Sequence, residues 1–135
     1  MIRIVADTNV IVSALAFGGM PRAVLELAEA GRCQWFHSPP IQEEVRRILA
    51  EKFRWSSAML QKTLPPLWSI GELIIPQMTV KAVPDDPDDD RILECALSAN
   101  AHFLVTGDRH LLTLSRYKSI SIVTPRQFIE ANFSD

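Results

Sequence analysis

Residues 2–9 read Ile-Arg-Ile-Val-Ala-Asp-Thr-Asn, and this stretch decides the fold. Ile2 to Ala6 is short and β-branched and stops at an acid, the pattern of a strand buried on both faces of a parallel sheet. The motif recurs near the other end of the chain. Phe103-Leu104-Val105 is a second short apolar run, closed by Thr106-Gly107-Asp108. Each run delivers an Asp at the point where a buried strand ends and the chain turns.

The segments between and around these two runs alternate in period. Asn9 to Phe17 is apolar with small residues and reads as a first helix, broken by Gly18-Gly19. Pro21 suits the first turn of a second helix, with Val24, Leu27 and Ala28 on one face and Gly31 as its stop. Gln34 to His37 reads as a strand. Ser38 is the expected N-cap of a third helix, with Pro39 at its first position. That helix carries Ile41, Val45, Ile48 and Leu49 at amphipathic spacing. Residues 56–71 look helical, and Pro65-Pro66 are expected to kink or split them. Leu73 to Ile75 suggests a strand, and the proline-rich residues 76–88 a loop. Ile92, Leu93, Ala96 and Leu97 mark a helix with an Asp run at its start. Ile120 to Val123 reads as the last strand, and Pro125 opens a final helix with Phe128 and Ile129 inward. Strands alternating with helices predict an α/β fold: a three-layer α/β/α sandwich around a mostly parallel sheet of about five strands. Sites in such sheets form beyond the carboxyl ends of the strands.

Composition fits one such domain spanning 1–135. The chain has 135 residues, 47% of them hydrophobic and 22% charged, which argues against disorder. No run approaches 18 apolar residues, so no transmembrane helix is expected, and the N-terminus lacks the apolar core of a signal peptide. Cys33 and Cys95 have no metal-like spacing and are expected to be reduced and buried in a cytoplasmic protein. The formal net charge is −2, too acidic for a protein that grips nucleic acid by charge alone. The negative charge is local, however. Asp85, Asp86, Asp88, Asp89 and Asp90 hold five of the 16 acids, and the remaining 11 face 14 Lys and Arg.

Four acids are expected to converge. Asp7 and Asp108 end equivalent strands. In the third helix Glu44 flanks the apolar stripe, whereas Glu43 points nearly opposite, toward solvent. In the Asp run, Asp89 lies on the wheel beside Ile92, Ala96 and Ala99, and Asp90 is rotated about 100° from it. Four carboxylates converging without His or Cys are hard ligands for Mg²⁺ or Mn²⁺, and such clusters serve phosphodiester hydrolysis. Other acid-rich chemistries fail on spacing. A calcium loop counted from Asp86 places Arg91 where glycine belongs and Leu97 where glutamate belongs. An aspartyl-phosphate motif needs a second Asp where Asn9 stands. No Gly-rich phosphate loop and no HExxH motif is present. His37, His102 and His110 are scattered, and only His110 adjoins a candidate acid.

Taken together, Asp7-Thr8-Asn9-Val10, Ser38-Pro39 with Glu44, Asp86-Pro87-Asp88-Asp89-Asp90, and Val105-Thr106-Gly107-Asp108 followed by Leu111-Leu112 resemble the PIN-domain family. The likeness is in particular to the VapC-like toxin components of toxin–antitoxin modules, and it covers nearly the whole chain. The resemblance implies a metal-dependent ribonuclease directed at single-stranded RNA, whose products carry a 5′-phosphate and a 3′-hydroxyl. It implies Mg²⁺ or Mn²⁺, one or two ions per site, held by Asp7, Asp89 and Asp108, with Glu44 directly or through water. The third acid has two alignments: the family's spacing from Asp108 lands on Asp90, while the apolar register, like the helical wheel, lands on Asp89. Asn9 corresponds to a polar residue that positions water or an acid, and Thr106 to a hydroxyl near the metal. It further implies RNA as substrate, a small antitoxin protein as partner and a homodimer.

Arg46, Arg47, Lys52, Arg54, Arg109 and His110 are candidates for holding the RNA backbone. Trp55 and Trp68 are candidates for base stacking, with core packing expected of at least one. Three competing readings share the pattern: a catalytically silent RNA-binding or protein-interaction module, an RNA-processing or DNA-cleaving nuclease outside a toxin–antitoxin system, and a carboxylate-rich phosphatase. The last is weakened by Asn9.

Overall fold

Five short parallel strands, none longer than four residues, line up edge to edge because each crossover between them is long enough to cover the sheet. The computed structural model describes residues 1–83 and 86–133. Asp85 of the acidic run lies outside them. In chain order the elements are β1 (Arg3–Ala6), α1 (Thr8–Ala16), α2 (Gly19–Glu29), β2 (Gln34–His37), α3 (Pro39–Glu51), α4 (Ser57–Ile70) and β3 (Glu72–Leu73). They continue with α5 (Pro87–Ser98), β4 (Phe103–Val105), α6 (Arg109–Leu114), β5 (Arg116–Tyr117), β6 (Ile120–Val123) and α7 (Pro125–Phe133).

The sheet order is β3-β2-β1-β4-β6-β5, parallel throughout except for the β5–β6 pair. This is the expected mixed α/β fold, with six strands rather than about five. The added strand is β5, two residues that fold back on β6 around Lys118 at φ 53°. Such a short hairpin, like the six-residue α6, is below the length at which hydrophobic period speaks. Helices α2 and α7 pack together on one side of the sheet, and α3, α4 and α5 associate with one another.

β1 lies at the centre, and its neighbours record a reversal of chain direction. The chain steps from β1 to β2 and β3 on one side, then returns to place β4 on the other. Ala6 pairs with Val105, and the Asp7 amide donates to the Val105 carbonyl at 3.0 Å. The two strand ends that carry Asp7 and Asp108 are therefore neighbours at the topological switch point.

The core is continuous. Ile4, Val5 and Leu104 are fully buried in the sheet, Ile11, Val45, Leu49 and Leu93 come from the helices, and Phe128 seals the α7 side. At about 25 cal/mol per Å² such burial is the main favourable term in folding. α4 runs through Pro65 and Pro66 as one element rather than splitting. Proline's φ is already helical, and Leu60, Leu64 and Leu67 bury one continuous face. The α4 cap requires Gly71, because a Cβ there would stand 2.6 Å from the Trp35 carbonyl oxygen. Ser38 occupies the N-cap of α3 as expected, but its side chain makes no capping hydrogen bond. The segment before α5 is more buried than its composition suggests, with Val80 and Val83 both in the core. Cys33 and Cys95 are free and buried, and burial pushes their thiols up to about 11 and about 12. Among the described residues no single helix is long and apolar enough to cross a membrane. α1 and α2 together match a broken span in composition, bent by 99°, but Val10, Ile11, Val12 and Ala14 of α1 are core residues.

Candidate metal centre

Three helices begin at one point, and each begins with an aspartate. Asp7 caps α1 by accepting the Val10 amide at 2.8 Å. Asp108 caps α6 by accepting the Leu111 amide at 3.0 Å. Asp86 caps α5, accepting the Asp88 amide at 3.2 Å. Asp is a preferred N-cap because its oxygen satisfies an amide that the helix leaves orphaned. The positive ends of three helix dipoles therefore face the same acids, offsetting part of their mutual repulsion.

Thr106 joins two of these caps. Its hydroxyl donates to Asp7 Oδ2 and accepts the Asp108 amide at 2.9 Å. Fully buried between adjacent strand ends, it fixes one acid relative to the other. Asp89, one turn into α5, completes the group. Ligand atoms of Asp86, Asp89, Asp108 and His110 all lie within 4.8 Å of one another. Asp89 Oδ2 is buried and has no hydrogen-bond partner among the described residues.

The electrostatics record this crowding. Burial, followed by the Asp108 carboxylate close beside it, pushes the Asp89 carboxyl up to about 8, with the charges of Asp86 and Asp7 adding to it. Burial pushes Asp7 up to about 6, against the lowering effect of its hydrogen bonds from Thr106, Val10 and Asn9. Like charges gathered in a poorly solvated pocket favour protons until a cation replaces them. An unpartnered buried carboxylate oxygen among oxygen donors fits a hard divalent cation such as Mg²⁺ or Mn²⁺, and an imidazole at the rim suits Mn²⁺ better than Mg²⁺.

The remaining sequence-predicted residues divide. Glu44 does not join the four closest ligand atoms. It lies in a neighbouring cleft of about 210 Å³ with Thr8, Arg47 and Asp88. Burial and the adjacent Asp88 raise its carboxyl above the usual range, and Arg47 approaches it at 3.7 Å. Glu43 is exposed. Asp90 turns away from the cluster: its Oδ1 accepts the Ala82 and Val83 amides, each at 2.9 Å. Asn9 serves Asp7 through its backbone, and its side chain is exposed.

The basic residues fall at different distances. Arg109 stands on the first turn of α6 and is exposed next to the cluster. α3 starts at the site edge of the sheet and runs away from it for 13 residues, so Lys52 and Arg54 lie beyond its far end, about 20 Å along the axis. Arg46 faces a groove shared with Trp68 on α4. Trp68 stacks against Trp35 and His37, and Trp55 packs on the core, so both tryptophans have structural partners.

Sequence reasoning missed Asp86, Asp88 and Glu94. For Asp86 a signal was available: Pro87 at the first helical position makes the preceding residue the cap. Glu94 needed the tertiary structure, because its partner is the Val80 amide, 14 residues back and 2.8 Å away.

No curated protein matches this chain. A family model does match: the PIN domain, a group whose members are generally metal-dependent nucleases, over residues 3–110. The matched span runs from β1 into α6 and takes in Asp7, Glu44, Asp86, Asp89, Asp108 and His110. With about four fifths of its length covered by that model, the chain belongs to the PIN-domain family.

Proposed function

We propose that the protein is a divalent-metal-dependent endoribonuclease that hydrolyses single-stranded RNA. The observation that carries this reading is the convergence of Asp86, Asp89, Asp108 and His110, with Asp7 tied to Asp108 through Thr106, at the switch point of a PIN-domain sheet. Asp86, Asp89 and Asp108, with Asp7 behind them and His110 at the rim, would hold one or two ions of Mg²⁺ or Mn²⁺. A divalent cation supplies Lewis-acid activation of water and clamps phosphate oxygens. Thr106 holds Asp7 and Asp108 in one arrangement before substrate arrives, so little reorganisation is needed at the moment of reaction. Asp89, whose carboxyl lies near neutrality, keeps or releases its proton according to the charge beside it. Glu44 and Asp88 form a second acidic pair beside the first, reached through the same end of α5.

The biological setting follows the family resemblance: the toxin of a toxin–antitoxin pair, a homodimer, neutralised by a small antitoxin protein in the cytoplasm. The ordered acid cluster supports the enzyme over the silent binding module, because a module without chemistry has no use for an unpartnered buried carboxylate.

The test is cleavage of a labelled single-stranded RNA panel with Mg²⁺, Mn²⁺ or EDTA, beside Asp7→Asn. Asparagine keeps the helix cap and removes the charge. Wild-type cleavage only with metal, lost in the variant, is expected. Folded wild type that cuts nothing under either metal refutes the enzyme. RNA cleavage without arrest of growth on expression in a bacterial host refutes the toxin role alone.

A further inference from the structure

Beside the acid cluster the surface opens into a groove of about 650 Å³, within the size range of small-ligand sites. It runs between α1 and α2 on one side and the β4–α6 and β6–α7 turns on the other. Its two sides differ in chemistry. Val10, Met20 and Pro21 make one wall apolar, while Arg109 and Arg126 stand on the other, and Asp108 is the acid that lines it. Arg109 has no carboxylate partner among the described residues. Arg126 has only the exposed Glu130 at 3.6 Å, a pairing of little energetic consequence.

Gly107 gives an independent indication. It lines the groove immediately before Asp108. Its backbone does not lie in the left-handed region, and a Cβ built on it meets nothing within 4 Å. Neither conformation nor packing demands a glycine here. The missing side chain leaves the groove open where it meets the metal centre.

We propose that this groove seats the nucleotide next to the scissile phosphate. Its base lies against Val10, Met20 and Pro21, and its phosphate is held by Arg126 and Arg109. The inference rests on the ribonuclease reading for its ligand class and adds Arg126, in the first turn of α7, as a substrate-binding residue. A flat apolar face joined to a polyanion is the chemistry of a nucleotide, and a mixed apolar and guanidinium groove complements both parts. Continuity with Asp108 places its phosphate beside the one to be cut.

The test is fluorescence anisotropy of a labelled single-stranded RNA oligonucleotide, read in EDTA and again with Ca²⁺, across a salt series. Wild type is compared with Arg126→Ala, Arg109→Ala and Gly107→Leu, each checked by circular dichroism melting. The two arginine variants are expected to weaken binding severalfold, and each to lower the slope of log K against log salt by about 0.7. Gly107→Leu, whose side chain fills open space, is expected to weaken binding at least tenfold without lowering the melting temperature. Absence of RNA binding by wild type in both buffers, or wild-type affinity in all three variants, overturns the proposal. Cleavage is scored separately. Metal-dependent cutting with unaltered groove variants removes the groove and leaves the nuclease. Weakened binding by the variants in a protein that never cuts removes the nuclease and leaves the groove.

Discussion

Asp90 separates a metal ligand from a structural acceptor, and its substitution gives a sharp expectation. The side chain is 5% exposed. Its Oδ1 takes two amides of the segment that leads into α5, and Glu94 takes the Val80 amide while also receiving Arg91 at 2.7 Å. The two carboxylates thus fasten residues 80–83 to the helix that carries Asp86 and Asp89. Asp90→Ala leaves two largely buried amides without an acceptor, at about 1–3 kcal/mol each. Allowing for partial access of water to Ala82, the expected loss is about 2–4 kcal/mol. At about 3–4 °C per kcal/mol for a chain of this size, the melting temperature falls by about 6–16 °C. Asp90→Asn keeps an oxygen that can accept both amides, so it should lose no more than about 1 kcal/mol. Mn²⁺ affinity, followed by isothermal titration calorimetry, should remain within a fewfold of wild type in Asp90→Asn and collapse in Asp89→Asn. Should Asp90→Asn abolish Mn²⁺ binding while its melting temperature is unchanged, Asp90 is a ligand and the reasoning fails.

Other substitutions and conditions give equally direct readouts. In the metal-free protein Asp7 and Asp89 are raised to about 6 and about 8 from an ordinary 3.8, so the folded state holds more protons than the unfolded one. The contribution of these two acids falls as pH rises from about 4 to about 8. His37 and His102, both held below their ordinary value, act in the opposite sense. With the two acids dominant, thermal melts in EDTA at pH 5 and pH 8 should show the lower midpoint at pH 8. A stability that rises over that window contradicts the pKa assignment. Saturating Mg²⁺ or Mn²⁺ should reverse the trend, with affinity increasing with pH because the ligands must be deprotonated; a melting temperature indifferent to both ions argues against the site. Thr106→Val removes the donor to Asp7 and the acceptor of the Asp108 amide. It should cost about 2–4 kcal/mol in a chemical denaturation experiment and shift metal binding to higher pH, since the Thr106 hydrogen bond lowers the Asp7 carboxyl. Asp86→Asn keeps the α5 cap, so Mn²⁺ affinity should drop while the melting midpoint in EDTA holds or rises; unchanged Mn²⁺ affinity excludes Asp86 from the centre.

How far the sequence was legible depends on the length scale of each signal. Strand-then-acid motifs at Asp7 and Asp108 are local, and they located the two neighbouring strand ends before any pairing was known. The stripe of Ile41, Val45 and Leu49 told Glu44 from Glu43 by side. Where period fails, the reading failed too: α6 and β5 are too short to show one, and α4 runs through two prolines because its buried leucines outweigh the lost backbone bonds. The loop before α5 looked polar because its prolines dominate the composition, yet Val80 and Val83 are held inward by acids from the next helix.

The acid run shows the same division within a few residues. Sequence alone determined that Asp86 to Asp90 open a helix and that a concentration of carboxylates needs a cation or a donor. Helical spacing preferred Asp89 for the cluster, because the direction of a side chain from a helix follows from its position in the turn. Which carboxylates share the centre was decided only by tertiary structure. Asp86 reaches it as a cap, Asp90 is claimed by the amides of Ala82 and Val83, and Glu44 sits with Asp88 in the next cleft. Each outcome depends on what the folded chain brings opposite the residue, and that is fixed by strand order and loop path rather than by local period.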